Sequence, residues 1–315
     1  LGDVFGYDTE WAKEHALATH DNYVYYFREE FDTQLKVQEW YDALVGDEKK
    51  LKASGLTAEK ALNICNGLIY LHCEKLFVID QNNPYMLHPR ISIYQSHSYN
   101  ELYDDQKEVL MRIYNDYFFR RHTEFWRQSA MRKLPTLINA THMLCCGEDL
   151  GMVPACVPDV MHELQILSLE IQRMPKDPTL TFAHPADAPY LSVCTTGTHD
   201  TNPLRAWWEE DRAVTQKFYN EQMGWWGEAP KEMTPQIAEF IVNQHMYSPA
   251  MWVILPLQDW LAVDGEVRLP DANGERINVP ANPRHFWNYR MHISLEDLLR
   301  KDAFNATIRR LTSVR

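Results

Sequence analysis

Two short apolar runs, each closed by a glycine turn that carries acidic residues, constrain this chain more than any other feature. One is MLCC before GEDLG (143–151); the other is YLSVC before TTGTHDT (190–201). A run of that length closed by Gly reads as a buried strand and its terminal turn. In parallel α/β architectures the loops at the C-terminal strand ends converge on one face, and chemistry collects there. Glu148 and Asp200 are therefore the candidate carboxylates of an active site.

The pattern around these runs alternates. After a long helical stretch from Gln106 to about Asn139, with Val109, Leu110, Ile113, Tyr117 and Phe118 at core spacing, the chain reads as strand Met143–Cys146, helix Val157–Leu164, strand Ile166–Gln172 and strand Tyr190–Thr195. Helices Leu204–Tyr219 and Thr234–Tyr247 follow, then strand Met251–Pro256. Strands separated by helices predict an α/β fold with a parallel sheet, either half of an eight-stranded barrel or a small open sheet. Residues 1 to about 105 read differently. Trp11–Phe31 and Thr33–Val45 are amphipathic and aromatic, as helices would be, and Thr57 is a candidate cap for a helix from Ala58. Leu68–Asp80 fits a strand pair or a buried helix equally well, and Gln81–Arg90, with two prolines and two asparagines, reads as a loop. Two domains are expected, 1–105 and 106–315.

A formal net charge of −13 excludes a polyanion such as nucleic acid as a natural partner. Ten Trp and sixteen Tyr supply flat apolar faces that suit either sugar rings or a core. The six cysteines form no CxxC pair, and several sit in strand-like apolar runs, so reduced, buried thiols are expected. With no signal-like opening and no apolar run of spanning length, a cytoplasmic protein without a membrane partner is expected.

The segments GEDLGMVPACVPDVMHELQILSLEIQRMP, TGTHDTNPLRAWWEED, PLQDWL and ERINVPANPRHFWNYR resemble the C-terminal half of the 4-α-glucanotransferases, the amylomaltases and disproportionating enzymes. The likeness is strongest to the disproportionating enzyme 2 type, which carries a long insertion inside its barrel, and it runs from about Phe118 to Met291. It implies the C-terminal half of a (β/α)8 TIM-type barrel, with 1–105 as the mainly helical insertion. The implied activity is retaining transfer of α-1,4-glucosyl or maltosyl units between maltose, maltodextrins or glycogen-like glucans, with neither metal nor organic cofactor. By resemblance Glu148 is the general acid/base, Asp200 grips hydroxyls of the distorted sugar, His199 bonds the same sugar, and Asn278 contacts the acceptor side. The chain departs from the family in two places. Ala281 stands where the family reads NVPG, and no R-I-D-H segment, home of the nucleophilic aspartate, occurs.

Each assignment competes with a plainer one. Glu148 would act as the acid if apolar neighbours and nearby acids raise its pKa; otherwise it is a strand-end cap. Its neighbour Asp149 reads as structural. Asp200 with His199 could instead cap the helix through Leu204. A metal site from Cys145, Cys146 and His199 has no supporting ligand spacing. Arg173, at the end of SLEIQR, would either orient a carboxylate or sugar at the barrel rim or form a structural salt bridge. In the pairs Trp207–Trp208 and Trp225–Trp226 at most one member faces a given groove; core packing competes with sugar stacking, with Trp208 the candidate for sugar.

Three functions remain: the transferase; an α-glucosidase or amylase-type hydrolase with water as acceptor; and a non-catalytic half-barrel needing a complementing chain, whose exposed edges would favour a homo-oligomer. Because retaining transfer needs a second carboxylate as nucleophile, the isolated chain is expected to be inactive.

Overall fold

The computed structural model describes residues 1–21, 23–282 and 284–315, and the chain divides into two compact units, Leu1–Phe118 and Phe119–Arg315. Asn22, inside the expected helix Trp11–Phe31, and Pro283, inside the ERINVPANPRHFWNYR segment, lie outside the described residues.

In the first unit helix α1 (Thr9–His15) stops well short of Phe31, and an antiparallel hairpin follows, β1 (Leu17–Thr19) with β2 (Tyr25–Phe27), in the register Leu17↔Phe27. Between the two strands Asp21 Oδ1 accepts from the backbone N–H of Tyr23 and of Val24, each at 2.9 Å. Such a side-chain turn competes with helical hydrogen bonding. The capping expectation for Thr57 holds: it opens α3 (Ala58–Cys73) by accepting from Lys60 N, and Thr33 opens α2 (Gln34–Val45) in the same way by accepting from Lys36 N. Val37, Leu44, Ala61, Ile64 and Leu68 from these two helices bury against Phe5 and Phe31.

The ambiguous run 68–80 is divided, α3 ending at Cys73 and β3 (Phe77–Ile79) beginning after it. Part of the expected loop is strand as well: β4 (Leu87–Pro89) pairs antiparallel with β3. The connection turns on Asp80 Oδ1, which accepts from Asn82 N and Asn83 N. The long helical stretch is α4 (Asp104–Asn115), a π-helical segment Asp116–Arg121 and α5 (His122–Asn139). Of the five residues placed at core spacing only Leu110 is buried, with Tyr114 one turn on; Val109 and Ile113 are exposed. The buried stripe thus runs one position away from the one expected.

The second unit holds the parallel sheet. Its order is β5 (Ser168–Ile171), β6 (Ser192–Thr195), β7 (Trp252–Val253), with Ser168↔Ser192 and Val193↔Trp252 in register. The MLCC run forms no full strand. It contributes one parallel bridge, Cys146↔Leu167, flanked by Leu167 N to Cys145 O (2.9 Å) and Gly147 N to Leu167 O (2.8 Å). Spatial order therefore follows chain order, with α6 (Val157–Glu163) between the bridge and β5.

The expected helix 204–219 breaks into α7 (Leu204–Glu210) and α8 (Arg212–Glu221) at Asp211. Asp211 adopts an extended backbone, and its carboxylate caps α8 through Ala213 N and Val214 N. Together with α9 (Pro235–Met246), α10 (Leu257–Leu261) and α11 (Asp302–Thr312), these helices enclose a core that includes Trp208, Phe218, Ile237, Ile241, Leu261 and Leu311.

Trp208 needs correction as a sugar-binding candidate. It has no exposed surface, and its indole N–H donates to the Pro230 carbonyl at 2.9 Å, so it is a core residue. Trp225 packs partly into the same core, and Trp226 is exposed. The cysteines are all free thiols, as expected, but only Cys65, Cys156 and Cys194 are buried; Cys146 is exposed because its strand is reduced to a single bridge. Among the described residues no helix is long and apolar enough to cross a membrane.

Candidate active site

β5 at Leu169, the C-terminal end of β6 and the segment after β7 line a cavity of about 510 Å³. Leu169, Val193, Ile254 and Ile277 give it apolar walls, while Thr198, His199, Asn202, Asp259 and Tyr289 bring polar groups to it. A mainly apolar hollow with a few convergent polar groups is the usual form of a small-molecule site.

Asp200 and His199 sit on the loop between β6 and α7, both exposed. Asn278 Nδ2 donates to Asp200 Oδ1 at 3.0 Å, across 78 residues of chain, and His199 Nε2 lies 3.1 Å from Asp200 Oδ2. The Trp287 ring lies 4.8 Å from the His199 ring at an interplanar angle of 44°. The fold thus brings together three of the residues read from sequence, His199, Asp200 and Asn278, and adds an aromatic face that sequence reading missed. Asp200 caps no helix: α7 begins at Leu204, whose N–H is taken by Asp259.

The loop itself is held from below. Arg173 Nε donates to the Thr196 carbonyl at 2.8 Å, Nη2 donates to the Asn202 carbonyl at 2.9 Å, and the guanidinium lies 5.1 Å from the centre of the Trp207 ring. Burial pushes the Arg173 pKa down to about 10, against the support of Asp259 and Glu210, so it stays charged at neutral pH. Arg173 therefore serves the loop backbone, whereas the sequence reading had it facing a sugar or a salt-bridge partner. Asp259, fully buried, accepts from the Thr196 hydroxyl and, at 2.9 Å, from Leu204 N. Burial raises its pKa, while the two hydrogen bonds and Arg173 oppose the rise. Asp259 escaped the sequence reading, although an acid inside the apolar run PLQDWLAV was a usable signal for a buried, partnered carboxylate. Gly197 is required by close approach. A Cβ there would press on Arg173 Nη2 and come within 2.6 Å of Thr201 Oγ1.

Glu148 follows the Cys146 bridge, on the far side of β5 from β6. It is exposed, and its Oε1 accepts from Leu150 N at 3.1 Å, a local turn of its own. Its neighbour Asp149 is buried, accepts from Leu169 N at 2.9 Å and pairs with Lys176 at 2.6 Å. One acid of the pair is thus presented to solvent and the other anchors the strand end.

Behind the site a buried ion pair, Arg205 with Glu275 at 2.7 Å, holds the segment leading into Asn278. Burial pushes the Glu275 carboxyl up to about 7, outweighing the adjacent Arg205.

A family model described as 4-alpha-glucanotransferase matches residues 71–296. The chain is 40% identical over 289 residues to the 4-alpha-glucanotransferase DPE2 of rice, Oryza sativa subsp. japonica, covering 92% of this chain and 30% of that protein. It is 31% identical over 183 residues to a 4-alpha-glucanotransferase of Chlamydia caviae, covering 56% of this chain and 33% of that protein. The chain thus spans about a third of the length of these relatives. An amylomaltase from Streptococcus agalactiae, solved in complex with acarbose, aligns with 54% of this chain and 31% of its own, at a TM-score of 0.41 and 17% identity. From the matched segment, which contains Glu148, His199, Asp200 and Asn278 alike, the chain belongs to the 4-α-glucanotransferase family.

Proposed function

We propose that the full-length protein is a retaining 4-α-glucanotransferase, moving α-1,4-glucosyl or maltosyl units between maltose, maltodextrins or glycogen-like glucans. In this reading 106–315 is the C-terminal half of its (β/α)8 barrel and 1–105 a helical insertion. The observation that carries the reading is the convergence of His199, Asp200 and Asn278 at a parallel strand end, in a chain whose family is known.

In the first half-reaction Glu148 protonates the oxygen of the departing glucan while a carboxylate on the opposite face of the ring attacks C1; in the second, Glu148 takes the proton from the acceptor hydroxyl as it displaces that carboxylate. Asp200 holds hydroxyls of the flattened, positively charged sugar, His199 bonds the same ring, and Trp287 offers an apolar face beside it. Asn278 holds Asp200 and meets the acceptor side. None of the 315 residues lies in an R-I-D-H context, so we place the nucleophile elsewhere in the full-length protein and expect this stretch alone not to transfer glucose.

The test is incubation of the full-length protein with maltose, followed by separation of the products. Transfer gives glucose together with maltotriose and longer chains. Glucose alone would make the enzyme a hydrolase, and no product would leave a non-catalytic glucan-binding role.

A further inference from the structure

We infer that Arg173 and Asp259 act together as positioning residues for the Thr196–Leu204 loop, and through it for Asp200 and His199. The inference rests on the glucanotransferase reading of that loop. Each side chain holds both ends of it. Asp259 takes the Thr196 hydroxyl at the entrance and Leu204 N at the exit; Arg173 takes the Thr196 carbonyl at the entrance and the Asn202 carbonyl near the exit. They reach the loop from opposite sides. Arg173 lies two residues beyond the end of β5, Asp259 lies on α10 after β7, and these two strands flank β6 in the sheet. Between them Gly197 leaves no room for a Cβ, and Thr201 Oγ1 closes the turn by donating to Thr198 O and accepting from Thr198 N.

Half-buried Arg173 and fully buried Asp259 are an expensive way to hold a loop, since apolar packing of similar volume is often as stable. What they add is direction: charge-assisted hydrogen bonds fix donor and acceptor within narrow geometry. Asp200 needs such a frame, because its carboxylate is exposed and its side-chain partners Asn278 and His199 are themselves surface or half-buried groups. Its place over the sugar is inherited from the loop.

The experiment uses full-length protein carrying Asp259→Asn, Arg173→Lys or Thr196→Val. It measures kcat and KM for maltotriose disproportionation, amide exchange in peptides covering 196–204, and Tm. Small misplacement of a group acting in the transition state costs up to about 100-fold in rate. Asp259→Asn should therefore lower kcat by about 30–100-fold with KM changed less than about threefold, and should speed exchange in 196–204 while leaving peptides of α9 unchanged. Arg173→Lys, which cannot reach both ends at once, should cost about tenfold in kcat. Thr196→Val, nearly isosteric and free of charge change, should cost about three- to tenfold and serves if the other two fail to fold. Adding Thr196→Val to Asp259→Asn should cost little more, since both break one linkage. Folded Thr196→Val and Arg173→Lys proteins with kcat within twofold of wild type and unaltered loop exchange would overturn the inference. So would a lower Tm with unchanged kcat. If the wild type transfers no glucose while the variants loosen the loop, the functional reading fails and the positioning role stands.

Discussion

The Glu148 and Asp200 strand ends share a sequence grammar, an apolar run and then a glycine turn with an acid, but they are built to different depths. Asp200 follows the central strand β6, paired on both sides, and its loop is tied down by half-buried Arg173 and buried Asp259 and crossed by Asn278. Glu148 follows a single bridge, and among the described residues its carboxylate bonds to the backbone of its own turn; the anchoring falls to Asp149 and Lys176 next door. The contrast fits the proposed chemistry. A residue that grips sugar hydroxyls as charge develops gains from a rigid setting, since preorganised groups need no rearrangement in the transition state. A general acid/base that serves two half-reactions needs its proton exchanged with successive glucans, and an open strand end allows that.

The comparison breaks first at Glu148. In the full-length enzyme Glu148→Gln should lower kcat by more than about 10⁴-fold, above the ordinary general-acid contribution because the sugar leaving group is poor, with little change in fold or glucan affinity. Steady-state disproportionation together with a binding isotherm checks this, and activity within tenfold of wild type would falsify the assignment. Asp200→Asn comes next. It should lower kcat by about 10²–10³-fold while KM moves only a few-fold, because the lost interaction strengthens in the transition state. A change confined to KM would make Asp200 a ground-state binding residue and remove the reason for its rigid loop.

The glycines sharpen the contrast in stability. Gly197→Ala drives a Cβ into Arg173 and Thr201, both fixed by hydrogen bonds, and should cost about 1–3 kcal/mol as overpacking. Gly147→Ala at the other strand end meets Met161 Cε at 2.9 Å, the far end of a flexible side chain, and should cost under about 1 kcal/mol. Urea midpoints for the two variants decide the matter, and equal losses would mean that the two ends are equally rigid.

A pH-dependent effect concerns the core behind the Asp200 loop. Burial pushes the pKa of His245, on α9, down to about 4; nearby Arg173 and His184 add to the fall, and the Ile241 carbonyl, 2.7 Å from Nδ1, opposes it. An unfolded histidine titrates near about 6.5, so between that pH and about 4 the unfolded chain binds the extra proton. The stability from neutral His245 is thus fully present above about pH 6.5 and is lost as pH falls toward 4, by roughly 1.4 kcal/mol per unit at most. His245→Gln should flatten that part of the stability–pH profile measured by urea unfolding. A slope as steep as wild type would assign the acid sensitivity to other groups.

Local signals in the sequence carried through where one short interaction decides the outcome. Thr33 and Thr57 start helices because a hydroxyl three residues before a free N–H needs no help from the rest of the fold. The alternation of apolar runs and helices was enough to expect a parallel sheet, and the sheet is parallel and ordered as the chain is. The same kind of local signal, weighed less, would have corrected two elements: Asp21 builds the turn of a hairpin within the helix expected through Phe31, and Asp211 divides the helix expected over 204–219.

Other properties were decided only by the packed structure, because they depend on residues distant in sequence. Periodicity could not choose between the Val109–Ile113 and Leu110–Tyr114 stripes of one helix, since either satisfies a 3.6-residue repeat; the partner across the interface chooses. Composition could not tell Trp208, sunk in a core with its N–H on Pro230, from Trp287, open beside His199. The likeness to glucanotransferases named His199, Asp200 and Asn278, but it did not say that Asn278 bonds to Asp200, nor that Arg173 serves the loop rather than a sugar. The sequence determined which side chains could do the chemistry and which segments could be strands. Which of those side chains stay in water, and which are buried to hold the others, was set by burial and by hydrogen bonds across as many as 78 residues, a distance that no local pattern spans.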